Sequence, residues 1–219
     1  MSGDGMSGDG MNGDGMNGDG MNGDGMNGDE ERLARLEGQV RHLNDRQEIL
    51  DRVARHARGH DRFDADLLTA AYHQDGVDEH GATVNSGPAY AQWANMIHAE
   101  AAELHTHNIT THLCEIDEGG DTAHCESYVL VGLLSHDGRT AMLMSGRYLD
   151  RLERRDGTWR IAVRRCTVDL ALSADASVLR TPFFKEQGFV KGTRDRDDLS
   201  YRRPLTAADD PGQTPVTRW

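Results

Sequence analysis

The sequence is short of positive charge: 24 Lys and Arg face 37 Asp and Glu, a formal net charge of −13. Nucleic-acid binding needs clustered cations that release phosphate counterions, and anionic lipid attracts the same clusters. The composition therefore excludes both as partners. No run of about 18 apolar residues exists to cross a bilayer. No basic stretch followed by an apolar one opens the chain, so no secretory signal is expected. Cysteine is scarce and odd in number, with Cys114, Cys125 and Cys166 outside any CxxC spacing. That usage fits a reduced, cytoplasmic chain. All three lie in apolar, strand-like runs, where a small buried residue is the plain reading and a nucleophile the sharper one.

The excess of acid is concentrated at the start. Residues 1–30 hold six Asp and Glu30 without Lys or Arg, and take six of the nine Met and 11 of the 25 Gly. They form a five-residue repeat, MSGDG twice, MNGDG three times, then MNGDE. Glycine at two positions in five makes ordering costly, and no period of 2 or 3.6 supplies an apolar face. Residues 1–29 therefore read as disordered, and their Asn-Gly steps (Asn12, Asn17, Asn22, Asn27) as sites of deamidation. Calcium-binding nonapeptide repeats carry an apolar packing position, and EF-hand loops end on a Glu at position 12. The leader has neither.

An ordered domain is expected over 30–172, followed by a partly packed extension over 173–219. Leu33, Leu36, Val40 and Leu43 repeat at helical spacing. Asn44 followed by Gln47 resembles a capping box, which predicts two helices, 30–43 and 45–57. The first could pack on a partner subunit or lie on its own domain. Residues 64–73 read as a short helix, Gly76 as a turn, and 82–84 as a short strand. Ser86-Gly87-Pro88 opens a helix to about Leu104, with Tyr90, Trp93, Ala94, Ile97 and Ala101 on one side.

The second half changes period. Four β-rich runs, about 105–117, 121–135, 139–154 and 158–170, are separated by turns that include Asp137-Gly138 and Asp156-Gly157. Helices followed by a long meander give an α+β fold: a curved antiparallel sheet packed against N-terminal helices, with a ligand cavity between them. Beyond 171, Phe183, Phe184 and Phe189 form an apolar patch, and the last residues look mobile.

Several of the eleven His lie on these runs. Strand alternation puts His105 and His107 on one face and His112 on the other. A three-His metal site from this strand alone is then geometrically poor, and no metal is expected, although a metal-dependent enzyme using His105 and His107 remains open. A carboxylate and an imidazole from separate segments make a better unit. Asp61, ending a helix, could accept from one ring nitrogen of His107 and leave the other as a general base. Taken singly, Asp61 reads as a helix cap and His107 as a structural strand histidine.

Three segments, DRQEILDRVARHARGHDRFDADLL, HNITTHLCEIDEGGDTAHCESYVL and GRYLDRLERRDGTWRIAVRR, resemble in order the SnoaL-like branch of the nuclear-transport-factor-2-like superfamily. The resemblance covers roughly 30–170. The branch includes scytalone dehydratase, a bile-acid dehydratase, hexachlorocyclohexane dehydrochlorinase, polyketide cyclases and cofactor-free lyases acting on lignin-derived diaryl compounds. It implies a cone-like α+β barrel. It also implies that Asp61 and His107 are catalytic. Relatives often read H-x-x-x-N-H where this chain has Thr111 before His112. His56 stands where relatives often have Tyr or Lys. Arg164, five residues after Trp159, falls on a family arginine, although alternation sets it opposite Trp159, Ile161 and Val163. His56, Tyr72 and Arg164 are the expected polar donors. Trp93 is the expected apolar wall, with Met96, Ile97, Met142 and Met144 behind it.

The resemblance implies a lyase without metal or organic cofactor, a dehydratase or related eliminating enzyme, acting on a small hydrophobic cyclic or aromatic substrate. Isomerase and cyclase activities are alternatives within the same branch. Its catalytic members are homo-oligomers, commonly dimers or trimers. A non-catalytic small-molecule-binding protein, or an assembly subunit like the small subunits of aromatic-ring dioxygenases, is the alternative.

Overall fold

The computed structural model describes residues 24–206 and 218–219. The repeat before Asp24 lies outside the described residues, and with it the expectations of disorder and deamidation there. The mobility expected near the C-terminus falls largely on 207–217, also outside them. The described residues fall into two units that divide between His42 and Leu43.

One helix, α1 (Asp24–Asp61), replaces the two expected. It begins ahead of residue 30, so Asp24–Asp29, assigned to the disordered leader, are helical. Asn44 and Gln47 do not cap a second start. The Gln47 amide instead donates to Asp51 Oδ1 at 2.8 Å, a pair one helical turn apart that continues the helix. Leu33, Leu36, Val40 and Leu43 are exposed along it.

Phe63 follows in the left-handed region (φ 50°) and turns the chain. The Asp64 N–H reaches back to the Gly59 carbonyl at 2.9 Å, and its carboxylate caps α2 (Ala65–Thr69) by accepting from Leu67 N at 3.2 Å. Gly59 lets α2 approach α1: a Cβ there would meet Leu68 Cγ at 2.8 Å.

Strands β1 (Tyr72–His80) and β2 (Thr83–Ser86) form a hairpin ahead of α3 (Gly87–Ala101). Gly76, expected as a turn, sits inside β1 at an irregularity in its pairing. A Cβ at Gly76 would lie 2.9 Å from the carbonyls of His73 and Ile161, so only glycine fits. Ser86 caps α3, accepting from Ala89 N at 3.4 Å, with Pro88 in the first turn as expected.

Four long strands follow: β3 (Leu104–Ile116), β4 (Thr122–Leu134), β5 (Thr140–Arg155) and β6 (Thr158–Asp175). They match the four β-rich runs closely, and Gly138, Asp156 and Gly157 take positive φ in the turns between them. β6 continues past 172, so the sheet reaches into the segment assigned to the extension. The sheet order is β2-β1-β6-β5-β4-β3. β1 lies parallel to β6, so the sheet is mixed rather than wholly antiparallel. The core beneath it gathers Ile49 of α1, Leu68 of α2, Tyr90 and Ala94 of α3, and Leu152, Trp159 and Ile161 of the sheet.

Two bulges set which side chains face inward. Ile109 pairs with Val129, but His112 pairs with Ser127, so β3 carries one extra residue between them. His112 therefore shares the face of His107, contrary to simple alternation. On β6, Ile161 pairs with Leu152 and Val163 with Arg151, which leaves Ala162 extra. Arg164 is turned to the side of Trp159 and Ile161 and is fully buried.

After β6 the chain forms a short 3-10 turn (Ser177–Arg180) and α4 (Pro182–Glu186). Of the phenylalanine patch, Phe184 meets Phe189 and Trp219 at 5.6 and 6.4 Å between ring centres, while Phe183 stays exposed. Residues 193–201 return to the helix ends. Asp198 lies 3.2 Å from Arg62 Nε, Tyr201 donates to Asp64 at 3.0 Å, and Arg194 donates to the carbonyls of His98 and Ala102 at 3.1 and 2.9 Å.

Candidate active site

The end of α1 and the start of β3 bring Asp61 and His107 together. Asp61 Oδ1 lies 2.9 Å from His107 Nδ1, and the same carboxylate accepts the His107 backbone N–H at 2.9 and 3.1 Å. A carboxylate only accepts here, so Nδ1 carries a proton, and in the neutral ring Nε2 is the bare nitrogen. The His107 side chain is 5% exposed and that of Asp61 16%. His107 forms part of the wall of a cavity of about 380 Å³. His80, His98, Tyr148, Cys166 and Thr167 line it too, together with the apolar Val129, Val131, Met144 and Val168. Among the described residues, no Asp, Glu, Lys or Arg lines it.

The other expected site residues lie elsewhere. His56, Tyr72 and Arg164 are buried behind the cavity wall and are spent on one another. Arg164 grips Asp150 with two bonds of 2.7 Å and donates to His56 Nδ1 at 2.8 Å. A guanidinium only donates, so His56 carries its proton on Nε2. That nitrogen lies 3.1 Å from the Tyr72 hydroxyl, which in turn donates to Asp78 at 2.6 Å. Burial and the neighbouring Arg164 hold His56 well below its usual pKa, so it stays neutral. Arg164 also lies 4.1 Å over the ring of Tyr148, through which this buried cation adjoins the cavity. Trp93 packs on the core beside His80 and Tyr90. Of the four residues placed behind it, only Met144 lines the cavity, and Met96, Ile97 and Met142 are exposed.

Three residues that the sequence reading passed over complete the surroundings. His60 follows His56 by four on α1, and His98 follows Tyr90 and Ala94 by the same step on α3. Both spacings mark a buried helix face. His80 comes from β1, whose central glycine read as a turn. Burial lowers His60 strongly, His98 to about 4 and His105 to about 3, so these three imidazoles are neutral at pH 7. Cys166 Sγ lies 3.2 Å from His80 Nδ1, but burial pushes its thiol up, which makes it a poor nucleophile. Cys114 and Cys125 face each other across β3 and β4 in the core.

Helices laid on a curved, unclosed six-stranded sheet form an α+β cone, and a histidine–carboxylate pair stands on the wall of its cavity. The chain belongs to the SnoaL-like domain family, which matches residues 41–165. A protein of unknown function from Mycobacterium tuberculosis is 31% identical, with a TM-score of 0.51 over 58% of this chain and 77% of that one. Hexachlorocyclohexane dehydrochlorinase from Novosphingobium barchaimii is 20% identical, with a TM-score of 0.58 over 62% and 94% of the two chains. A scytalone-dehydratase-like protein from Novosphingobium aromaticivorans is 16% identical, with a TM-score of 0.55 over 61% and 90%. These last two likenesses are of fold. No curated protein matches the chain. Among the described residues, no helix is long and apolar enough to cross a membrane.

Proposed function

We propose that the cavity is the active site of a lyase that needs no cofactor and eliminates water, halide or a one-carbon fragment from a small, uncharged, hydrophobic ring compound. The observation that carries this is the Asp61–His107 pair, with Nδ1 held by the carboxylate and Nε2 bare on an uncharged cavity wall. His107 Nε2 takes a proton from substrate carbon or hydroxyl. The electron pair released forms the new double bond as the leaving group departs. Asp61 steadies the imidazolium so formed. Tyr148 is our donor to the leaving group, because its hydroxyl-bearing ring lines the same cavity as His107; burial raises its pKa, so the hydroxyl is protonated at pH 7. His56, Tyr72 and Arg164 act from behind the wall as positioning residues rather than as substrate ligands.

The absence of ionised side chains from the lining supports an uncharged substrate, since an anion or cation would lose its hydration without gaining a partner. We also propose a cytoplasmic homo-oligomer. Leu170 and Leu172 on β6 are exposed on the face away from the cavity, an apolar pair suited to contact with a second copy.

The test is a panel of uncharged cyclic alcohols and halides bearing an acidic C–H beside the leaving group, with products read by mass spectrometry. Turnover in the native chain and its loss in His107→Ala and Asp61→Asn are expected. Unchanged turnover in both variants overturns the reading. Ligand binding without turnover in any protein points instead to a carrier.

A further inference from the structure

His60, His98 and His107 each offer a nitrogen to a common point, and these atoms lie within 4.8 Å of one another. Their ring centres are 4.5, 5.0 and 5.2 Å apart. A metal about 2 Å from each nitrogen, at tetrahedral angles, sets imidazole centres about 5 Å apart.

The outward nitrogens are engaged and the inward ones are not. His107 Nδ1 is held by Asp61 at 2.9 Å, His98 Nδ1 by the Ala94 carbonyl at 2.8 Å, and His60 Nε2 by the Tyr90 hydroxyl at 3.0 Å. The carboxylate and the carbonyl can only accept, so in the neutral rings Nε2 of His107 and of His98 is the lone-pair nitrogen. His60 is fully buried, yet its Nδ1 has no partner among the described residues. A buried nitrogen without a partner is costly, and an ion at this point removes the cost. The outward bonds are also of the kind that orient metal-binding histidines: a carboxylate, a main-chain carbonyl and a hydroxyl.

We propose that His60, His98 and His107 bind one first-row divalent cation, zinc above all, through three imidazole nitrogens with a fourth position open. Zinc has no electronic preference among geometries and accepts three nitrogens with an open site readily. The ion takes the Nε2 lone pair of His107, the atom assigned above as the base. It therefore switches the elimination off reversibly, a consequence that rests on the function proposed above, whereas the binding does not.

Cobalt(II) is the probe, titrated into the metal-stripped full chain without substrate. We expect one equivalent with the absorption of a four-coordinate nitrogen and oxygen site and no sulfur-to-cobalt charge-transfer band. His98→Ala, which replaces an α3 residue by a good helix former, is expected to weaken binding at least about 100-fold. Zinc should displace the cobalt. A thiolate band would place the ion in one of the two cysteine-containing clusters, His112–Cys114–Cys125 or Asp78–His80–Cys166, and overturn the proposal. Undiminished binding in His98→Ala would place it with Asp61, His105 and His107 and do the same. Absence of binding at micromolar metal also overturns it, with no variant needed. Full turnover of the zinc-loaded protein overturns the inhibitory consequence alone.

Discussion

Asp61 holds His107 by its main chain and its ring at once: one carboxylate accepts the backbone N–H at 2.9 and 3.1 Å and Nδ1 at 2.9 Å. The position of the strand and the tautomer of the ring thus depend on one side chain. Asp61→Asn keeps the shape but offers an amide that can donate to Nδ1, and so releases the tautomer. Turnover should fall about 10³- to 10⁴-fold, while the thermal midpoint moves little. Equal activity of the asparagine variant would show that the carboxylate is only a strand anchor.

Acid should unfold the protein from an early point. His56, His60, His98 and His105 are held below the usual histidine value, first by burial. Above about pH 6.5 these rings are neutral in both folded and unfolded chains, so stability is complete. Below it the unfolded chain takes up protons that the folded one refuses. Stability is therefore lost as pH falls from about 6.5 toward the folded values, by about 1.4 kcal/mol per pH unit for each ring. Urea midpoints at pH 7.5, 6 and 5 give the slope, and a flat profile over that range would contradict the burial.

Arg164 and Asp150 are both fully buried at their side chains. Removing one partner strands the other charge, so Arg164→Met and Asp150→Leu should each cost about 3–5 kcal/mol. The double variant should recover part of that loss, because it leaves no unpaired ion. Denaturant titration of the three proteins measures the coupling, and simple additivity would mean that the pair contributes no specific interaction.

Gly59→Ala ought to raise helix propensity by about 1 kcal/mol. Its Cβ, however, would meet Leu68 Cγ at 2.8 Å and the Leu68 amide nitrogen at 3.1 Å. Overpacking costs about 1–3 kcal/mol, so the net effect should be a loss. A stabilised variant, measured by calorimetry, would mean that α2 yields without penalty.

The four long strands were legible because Asp-Gly turns and a change of period bounded them. Asp61 and His107 were legible because a resemblance in three segments placed them. The faces were less so. The extra residues at Ala162 and between Ile109 and His112 invert alternation, and nothing in the local sequence distinguishes a bulge from a regular step. That is why Arg164 was expected opposite Trp159 and His112 opposite His107. β1 was hidden because Gly76 signals a turn, although here it admits two carbonyls. His60 and His98 were overlooked because helix histidines read as polar surface until their i, i+4 partners prove buried.

The segment around Asp198 and Tyr201 ties down the last turn of α1 and the residues after it. Helix ends ordinarily fray, and this one carries the carboxylate that orients His107, the base proposed above. Amide exchange at Asp61–Asp64 should therefore report release of a strap more than 130 residues away in sequence, Tyr201 to Asp64, rather than melting of the helix. Integrity of the Asp61–His107 pair becomes a property of how the chain closes on itself, and clipping between β6 and Asp198 would loosen a site that it never touches.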